Sequence, residues 1–253
     1  MPPYDSLAAA YAWLVPDALL EPEGAAAAFA SLTDTLAPGA RVLDCACGTG
    51  QLAVGLALRG FTVTATDASA GMIAATRRLA AHRRVAIHAE QRAWEELQGT
   101  FDAVLCVGNS ITHAEGRERR RAALAAMARV LADGGRLAVT SRNWELVRAG
   151  GSRLEVGERL VRRGGVDGLP IHAWTIPGEW DAPHRLDVGV AFPDADGRVE
   201  SVAESLAFWP FTHEELCDDL RAAGLAVDAS TYTPGGERYL VTTRRSAAGA
   251  GAG

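Results

Sequence analysis

The feature that most constrains this chain is the stretch Arg41-Val-Leu-Asp44-Cys-Ala-Cys-Gly48-Thr-Gly50. Val42 and Leu43 read as a short buried strand with Asp44 at its carboxyl end, and Gly48 and Gly50 permit a tight turn where backbone can approach a ligand. Gln51 to Arg59 carries apolar residues at helical spacing, and Gly60 is placed to end that helix. A second strand, Phe61 to Thr66, ends in Asp67. Strand, glycine turn, helix and second strand put free N–H groups and a helix N-terminus at the carboxyl edge of a sheet, where open α/β folds bind nucleotides. Asp67, about 20 residues past the turn, is placed to accept hydrogen bonds from the hydroxyls of an adenosine ribose.

Gly48-Thr-Gly50-Gln-Leu-Ala53 also satisfies the glycine pattern of dinucleotide-binding folds, so an NAD-dependent oxidoreductase is the competing reading. Asp44 argues against it. A carboxylate at the mouth of the site repels a pyrophosphate and suits an ammonium.

The pattern Asp44-x-Ala46-Cys-Gly48-Thr-Gly50, with a strand before it and Asp67 after it, resembles motif I of the class I S-adenosylmethionine (SAM)-dependent methyltransferases. Within that superfamily the chain looks most like the glycine N-methyltransferase group and related small-molecule N-methyltransferases. The narrower matches are Gly108-Asn109-Ser110-x-x-His113 and Arg142-Asn143-Trp144. The resemblance implies a Rossmann-like α/β fold, a mostly parallel seven-stranded sheet with one antiparallel strand, and SAM as cofactor. It implies that Ala46 and Gly48 line the methionine part, Asp67 holds the ribose, and Ala68 and Trp94 flank the adenine. Val107 and His113 would lie against the cofactor, while Asn109 and Arg142 would face the methyl acceptor.

The rest of the chain fits this frame. Residues 1–38 read as a helical cap, with Tyr4 and Tyr11 as candidates to reach a ligand or to pack. A core over 39–143 and 212–245 surrounds an insertion at 144–211, whose short alternating runs predict a small antiparallel lid over the substrate. Thr212-His-Glu-Glu215 is a capping box opening a last helix. The Ala/Gly tail 246–253 reads as disordered. Arg117, Arg119, Arg120 and Arg121 read as the solvated face of an amphipathic helix.

The glycine enzymes are said to bring tyrosines to the acceptor from the region after the fifth strand. This chain has no Tyr between Tyr11 and Tyr232 and offers Trp144, Trp174, Trp180, Trp209, His172 and His184 instead. Trp174 thereby joins Asn109, Arg142, Tyr4 and Tyr11 as a candidate for contact with a larger or flatter acceptor. His113 and Asn109 are the candidates for a catalytic role, with no base assigned.

Composition closes several routes. Net charge is −6, which leaves no electrostatic footprint for nucleic acid. All 25 basic residues are Arg, so Schiff-base and P-loop lysine mechanisms are excluded. The four cysteines make no C-x-x-C pair or zinc spacing, so a metal is not expected. No apolar run reaches the ~18 residues of a membrane helix and no leader is read, so the expectation is a cytoplasmic enzyme, open to homo-oligomerisation. The expected reaction is methyl transfer to the nitrogen of a small amine, an amino acid or secondary metabolite, with O- or C-methylation as the alternative.

Overall fold

The structure is a computed structural model that describes residues 7–194 and 196–245. Tyr4 and the Ala/Gly tail fall outside the described residues. The segment ahead of the first strand is less regular than its alanine content suggests. Two 3-10 turns, Tyr11–Trp13 and Asp17–Leu19, precede two short helices, α1 (Pro22–Ala27) and α2 (Ala30–Thr33). The helical cap read over 1–38 is therefore not continuous, and it breaks at Phe29, whose backbone leaves helical geometry. Packing sets this segment: a Cβ at Gly55 would lie 1.9 Å from the Pro22 carbonyl oxygen, so only glycine lets α1 sit down on the helix that contains it.

The core then alternates strand and helix: β1 (Arg41–Asp44), α3 (Gln51–Leu58), β2 (Thr62–Asp67), α4 (Ala70–Arg83), β3 (His88–Gln91), β4 (Phe101–Cys106), α5 (Gly116–Arg129), β5 (Leu131–Arg142) and α6 (Trp144–Ala149). The third strand begins later than the Val85 that its apolar run suggests, because register is set by β2, where Thr64 pairs with His88. An insertion follows: β6 (Arg153–Val156), β7 (Val161–Arg163), β8 (Val166–Thr175), β9 (His184–Pro193) and β10 (Val199–Phe208). The chain closes with α7 (His213–Ala222), β11 (Leu225–Ser230) and β12 (Arg238–Arg245).

Seven strands form one sheet in the order β11-β12-β5-β4-β1-β2-β3. β1 is parallel to both neighbours, and β12 alone runs against the rest, antiparallel to β5 and to β11. This is the mostly parallel, Rossmann-like class I methyltransferase architecture that the motif resemblance implies. Val42 and Leu43 of the central strand are fully buried, one facing each of the two apolar layers that flank the sheet.

The inserted strands form a separate antiparallel sheet, β10-β9-β8-β6, with β7 on β8. It is welded to the core by an aromatic cluster in which Trp144 meets Trp174, His184 and Phe208. It also reaches the N-terminal segment, where Trp13 packs edge-on against Phe192 at 5.1 Å and Arg163 pairs with Asp17. The four cysteines are buried and unpaired. Among the described residues no helix is long and apolar enough to cross a membrane.

Of the arginines of α5, Arg117, Arg119 and Arg121 stay on the exposed face their spacing suggests, while Arg120 is buried. Arg117, Arg120 and Arg121 all converge on Asp219 of α7, whose side chain is fully buried, and Arg120 lies 4.6 Å over the Phe211 ring. A single acid on a neighbouring helix, about 100 residues away, turns three of the arginines into a tertiary clamp.

Candidate functional site

A cavity of about 450 Å³ opens at the carboxyl edge of the sheet, within the range of small-molecule sites. One wall is the end of β1 and the glycine turn, with Asp44, Ala46, Gly48 and Leu52; Asp67 and Met72 continue it. The far wall comes from β4, β5 and the closing hairpin, with Val107, Ser110, Thr140, Ser141, Arg238 and Tyr239. Tyr11, Val15, Leu19 and Phe29 of the N-terminal segment close the top.

The turn is built for its conformation. Gly48 and Gly50 have φ of +55° and +91°, which favour glycine. A Cβ at Gly50 would meet Thr76 at 2.8 Å, so Gly50 serves packing against α4. A Cβ at Gly48 would meet nothing within 4 Å, and the space beside it belongs to the cavity. Asp67 fixes the loop from the other side: its carboxylate accepts the Gly48 N–H at 3.0 Å and the Ser69 N–H at 2.9 Å. These two N–H groups hold the carboxylate at the end of β2, beside the glycine turn.

Asp44 is the anomalous group. It is 1% exposed, and its Oδ1 has no hydrogen-bond partner among the described residues. Burial, reinforced by the nearby Asp67 carboxylate, pushes its carboxyl up to about 7, while the Ala46 and Ala53 N–H groups pull the other way. A buried carboxylate oxygen without a donor costs free energy until a donor arrives. An ammonium in the cavity supplies one. The residues therefore fit SAM: an orphaned acceptor for its ammonium, Asp67 for its ribose, and an open glycine turn between them.

Of the residues singled out in the sequence, the cavity gathers Tyr11, Asp44, Ala46, Gly48, Asp67 and Val107. The others are not among the described residues that line it. Ala68 accepts the Gln91 side chain through its carbonyl, and Trp94 donates from Nε1 to the Cys45 carbonyl at 2.7 Å, bracing the β1 turn. Asn109, with φ of +72°, accepts the Arg142 N–H at 2.9 Å and donates to Thr112, so its amide ties the β4 loop to the end of β5. His113 contacts the Ala207 carbonyl and packs on Phe208; burial draws its imidazole down to about 4, so it is neutral at pH 7. The Arg142 guanidinium lies 5.5 Å from the Trp174 ring, and Trp174 is 3% exposed within the aromatic cluster. Thr140, Thr231 and Arg238 went unremarked in the sequence, and no local signal marks them: Thr140 is brought by the pairing of β5 with β4, and Thr231 and Arg238 by the closing hairpin's pairing with β5.

Comparison with known proteins finds methyltransferases. A family profile described as a methyltransferase domain matches residues 42–135. Glycine/sarcosine N-methyltransferase of Parasynechococcus marenigrum is 39% identical over 128 residues, 49% of this chain and 45% of that protein. The chain thus spans less than half the length of this curated relative. SAM-bound CalS10, an amino pentose methyltransferase from Micromonospora echinaspora, is 26% identical over 94% of this chain and 95% of its own, with a TM-score of 0.74. DesVI of Streptomyces venezuelae, 22% identical, shares the fold over 96% of this chain and 98% of its own at a TM-score of 0.75.

Proposed function

From the premise that residues 42–135 are a methyltransferase domain in a chain with the class I SAM-dependent fold, we propose that the protein transfers a methyl group from SAM to the nitrogen of a small amine. The observation that carries the reading is the partnerless Asp44 carboxylate facing the cavity beside Asp67 and the Gly48 turn. SAM supplies a methyl already activated by its sulfonium. The chain's own work is alignment and exclusion of water: Asp44 holds the ammonium, Asp67 the ribose, and Val107 and Ser110 border the path from cofactor to acceptor. Positioning of this kind is worth roughly 7–11 kcal/mol. The N-terminal segment that closes the cavity acts as the lid, and the inserted sheet within 144–211 braces it through Trp13 on Phe192 and Arg163 with Asp17.

Nitrogen is favoured over oxygen because a phenol needs a general base, no histidine is among the described residues lining the cavity, and its two carboxylates are taken by the cofactor in this reading. An amine that arrives neutral needs none. The names glycine/sarcosine N-methyltransferase and amino pentose methyltransferase, carried by similar proteins, support an amine-bearing small molecule. The acceptor is a metabolite of a cytoplasmic enzyme, not a nucleic acid.

Calorimetric titration with SAM and S-adenosylhomocysteine, with NAD as control, tests this in wild type and Asp67→Ala. Binding of both adenosyl ligands, at least tenfold weaker in the variant, is expected. Binding of NAD alone sinks the proposal.

A further inference from the structure

A second cavity, of about 400 Å³, lies on the same face of β5 and β12 as the first but toward their other ends. In the register of this strand pair Thr140 stands opposite Leu240 at the first cavity, Ala138 opposite Thr242, and Arg136 opposite Arg244 at the second. At the usual rise per residue, Arg136 and Thr140 are about 13 Å apart along β5. Ser31 and Leu32 of α2 close the second cavity over Arg136, Thr242 and Arg244, with Asp228 of β11 at its side. None of these residues lines the first cavity.

The fold places like charges together here. Arg136 and Arg244 are directly opposite on antiparallel strands, and two cations in that register repel, which weakens the pair. One acid answers them. A bulge in β11 between Val227 and Ala229 leaves Asp228 outside the ladder, and its carboxylate lies 3.4 Å from Nε of Arg244. The Arg136 guanidinium has no hydrogen-bond or ion-pair partner among the described residues. Two guanidiniums thus share a single carboxylate, and Ser31 and Thr242 add a hydroxyl each. Arg136 is half-buried and about half of the Arg244 side chain is exposed, so the cavity opens to solvent.

We propose that this second cavity binds a phosphate group between Arg136 and Arg244, as the free ion or as part of a phosphate ester. The assignment stands apart from the methyl-transfer reading. An anion between the two guanidiniums replaces their repulsion with charge-assisted hydrogen bonds. Two guanidiniums and two hydroxyls, carried by α2, β5 and β12, offer donors from several directions. That set suits the four oxygens of a phosphate better than the two coplanar oxygens of a carboxylate. Asp228 is the one group in the cavity that opposes an anion, and its contact with Nε of Arg244 leaves the other nitrogens of that guanidinium for the ligand.

The test titrates the protein with inorganic phosphate, glycerol 3-phosphate and acetate at constant ionic strength, in wild type, Arg136→Gln, Arg244→Gln and Arg238→Gln. Binding is read by calorimetry and by protection against thermal unfolding. Phosphate is expected to bind wild type and raise its unfolding temperature, and to bind Arg136→Gln and Arg244→Gln about tenfold more weakly. Arg238→Gln, which removes the cation of the first cavity, should bind phosphate within about twofold of wild type. Acetate should bind wild type about tenfold more weakly than phosphate does. Without phosphate, Arg136→Gln should melt at or above wild type, since the like-charge pair is gone, and this also certifies that it folds. Glycerol 3-phosphate binding as tightly as phosphate supports the site with an ester as its ligand; binding of phosphate alone supports it with the free ion. No phosphate binding in wild type, equal binding in wild type and both Arg136→Gln and Arg244→Gln, or a loss confined to Arg238→Gln overturns the assignment. Acetate binding as tightly as phosphate overturns it too.

Discussion

Two buried aspartates carry opposite assignments. Asp219, 0% exposed, is met by three guanidiniums, and their hydrogen bonds and charge hold its carboxyl below the usual range despite the burial. Asp44, 1% exposed, has another carboxylate for a neighbour and one oxygen without a donor, and its carboxyl rises to about 7. The residue type and the burial are the same; the partners differ. A buried charge satisfied from within the fold holds helices together, and one left unsatisfied is free energy held for a ligand.

The largest effect should come from breaking the satisfied member. Asp219→Ala leaves Arg120, itself 2% exposed, buried without its counter-charge, and should cost about 3–5 kcal/mol in denaturant unfolding. A loss below about 1 kcal/mol would show that the clamp is decorative.

The unsatisfied member should behave in reverse. Asp44→Asn removes a costly anion and should stabilise the ligand-free protein at pH 8 by roughly 1–3 kcal/mol, while weakening S-adenosylhomocysteine binding at least tenfold. Unfolding scans with and without ligand read both; a variant that loses stability and keeps affinity contradicts the role given to Asp44.

Acidity sharpens the contrast. Because the folded-state value of Asp44 lies above its unfolded one, the folded chain binds more protons between about pH 4 and 7, and Asp44's contribution to ligand-free stability falls as pH rises through that window. Ligand affinity should move the other way, since the ammonium needs the ionised form: binding weakens by up to about tenfold, or 1.4 kcal/mol, per pH unit below about 7. Calorimetry from pH 5.5 to 8 on wild type and Asp44→Asn isolates the term, and a flat difference between them removes it.

The smallest effect lies at the edge of the clamp. The Arg117 side chain is 46% exposed, so Arg117→Ala should cost no more than about 1 kcal/mol, against a severalfold larger loss for Arg120→Ala. Equal losses would mean the three arginines act as one network rather than by burial.

The same pair marks how far the sequence could be read. Asp44 and Asp67 were legible because each ends a strand beside a glycine turn, and local spacing alone says where such residues stand. Arg120 was misread as solvated because helical spacing describes one helix, while its partner arrives on another; Arg117 and Arg121 stay exposed and still reach the same acid. Asn109 and Arg142 were placed at the crevice by motif position; the structure engages them with each other, and the Arg142 guanidinium with the Trp174 ring. The motif locates a strand end; side-chain packing decides which way the residues turn.

By itself the sequence determined the strand–turn–helix unit, the alternation that gives a mostly parallel sheet, and the two carboxylates that end β1 and β2 at the cavity. All of these follow from contacts within about 25 residues, where periodicity, glycine geometry and strand ends leave few alternatives. Only the tertiary structure decided that Tyr11, Thr140 and Arg238 share one cavity, that the inserted sheet is fixed through Trp144 and Trp174, and that Asp219 draws three arginines inward. Those outcomes depend on β12 pairing with β5 and on α7 packing against α5, and the burial and pairing that select them are shared between segments far apart in the chain.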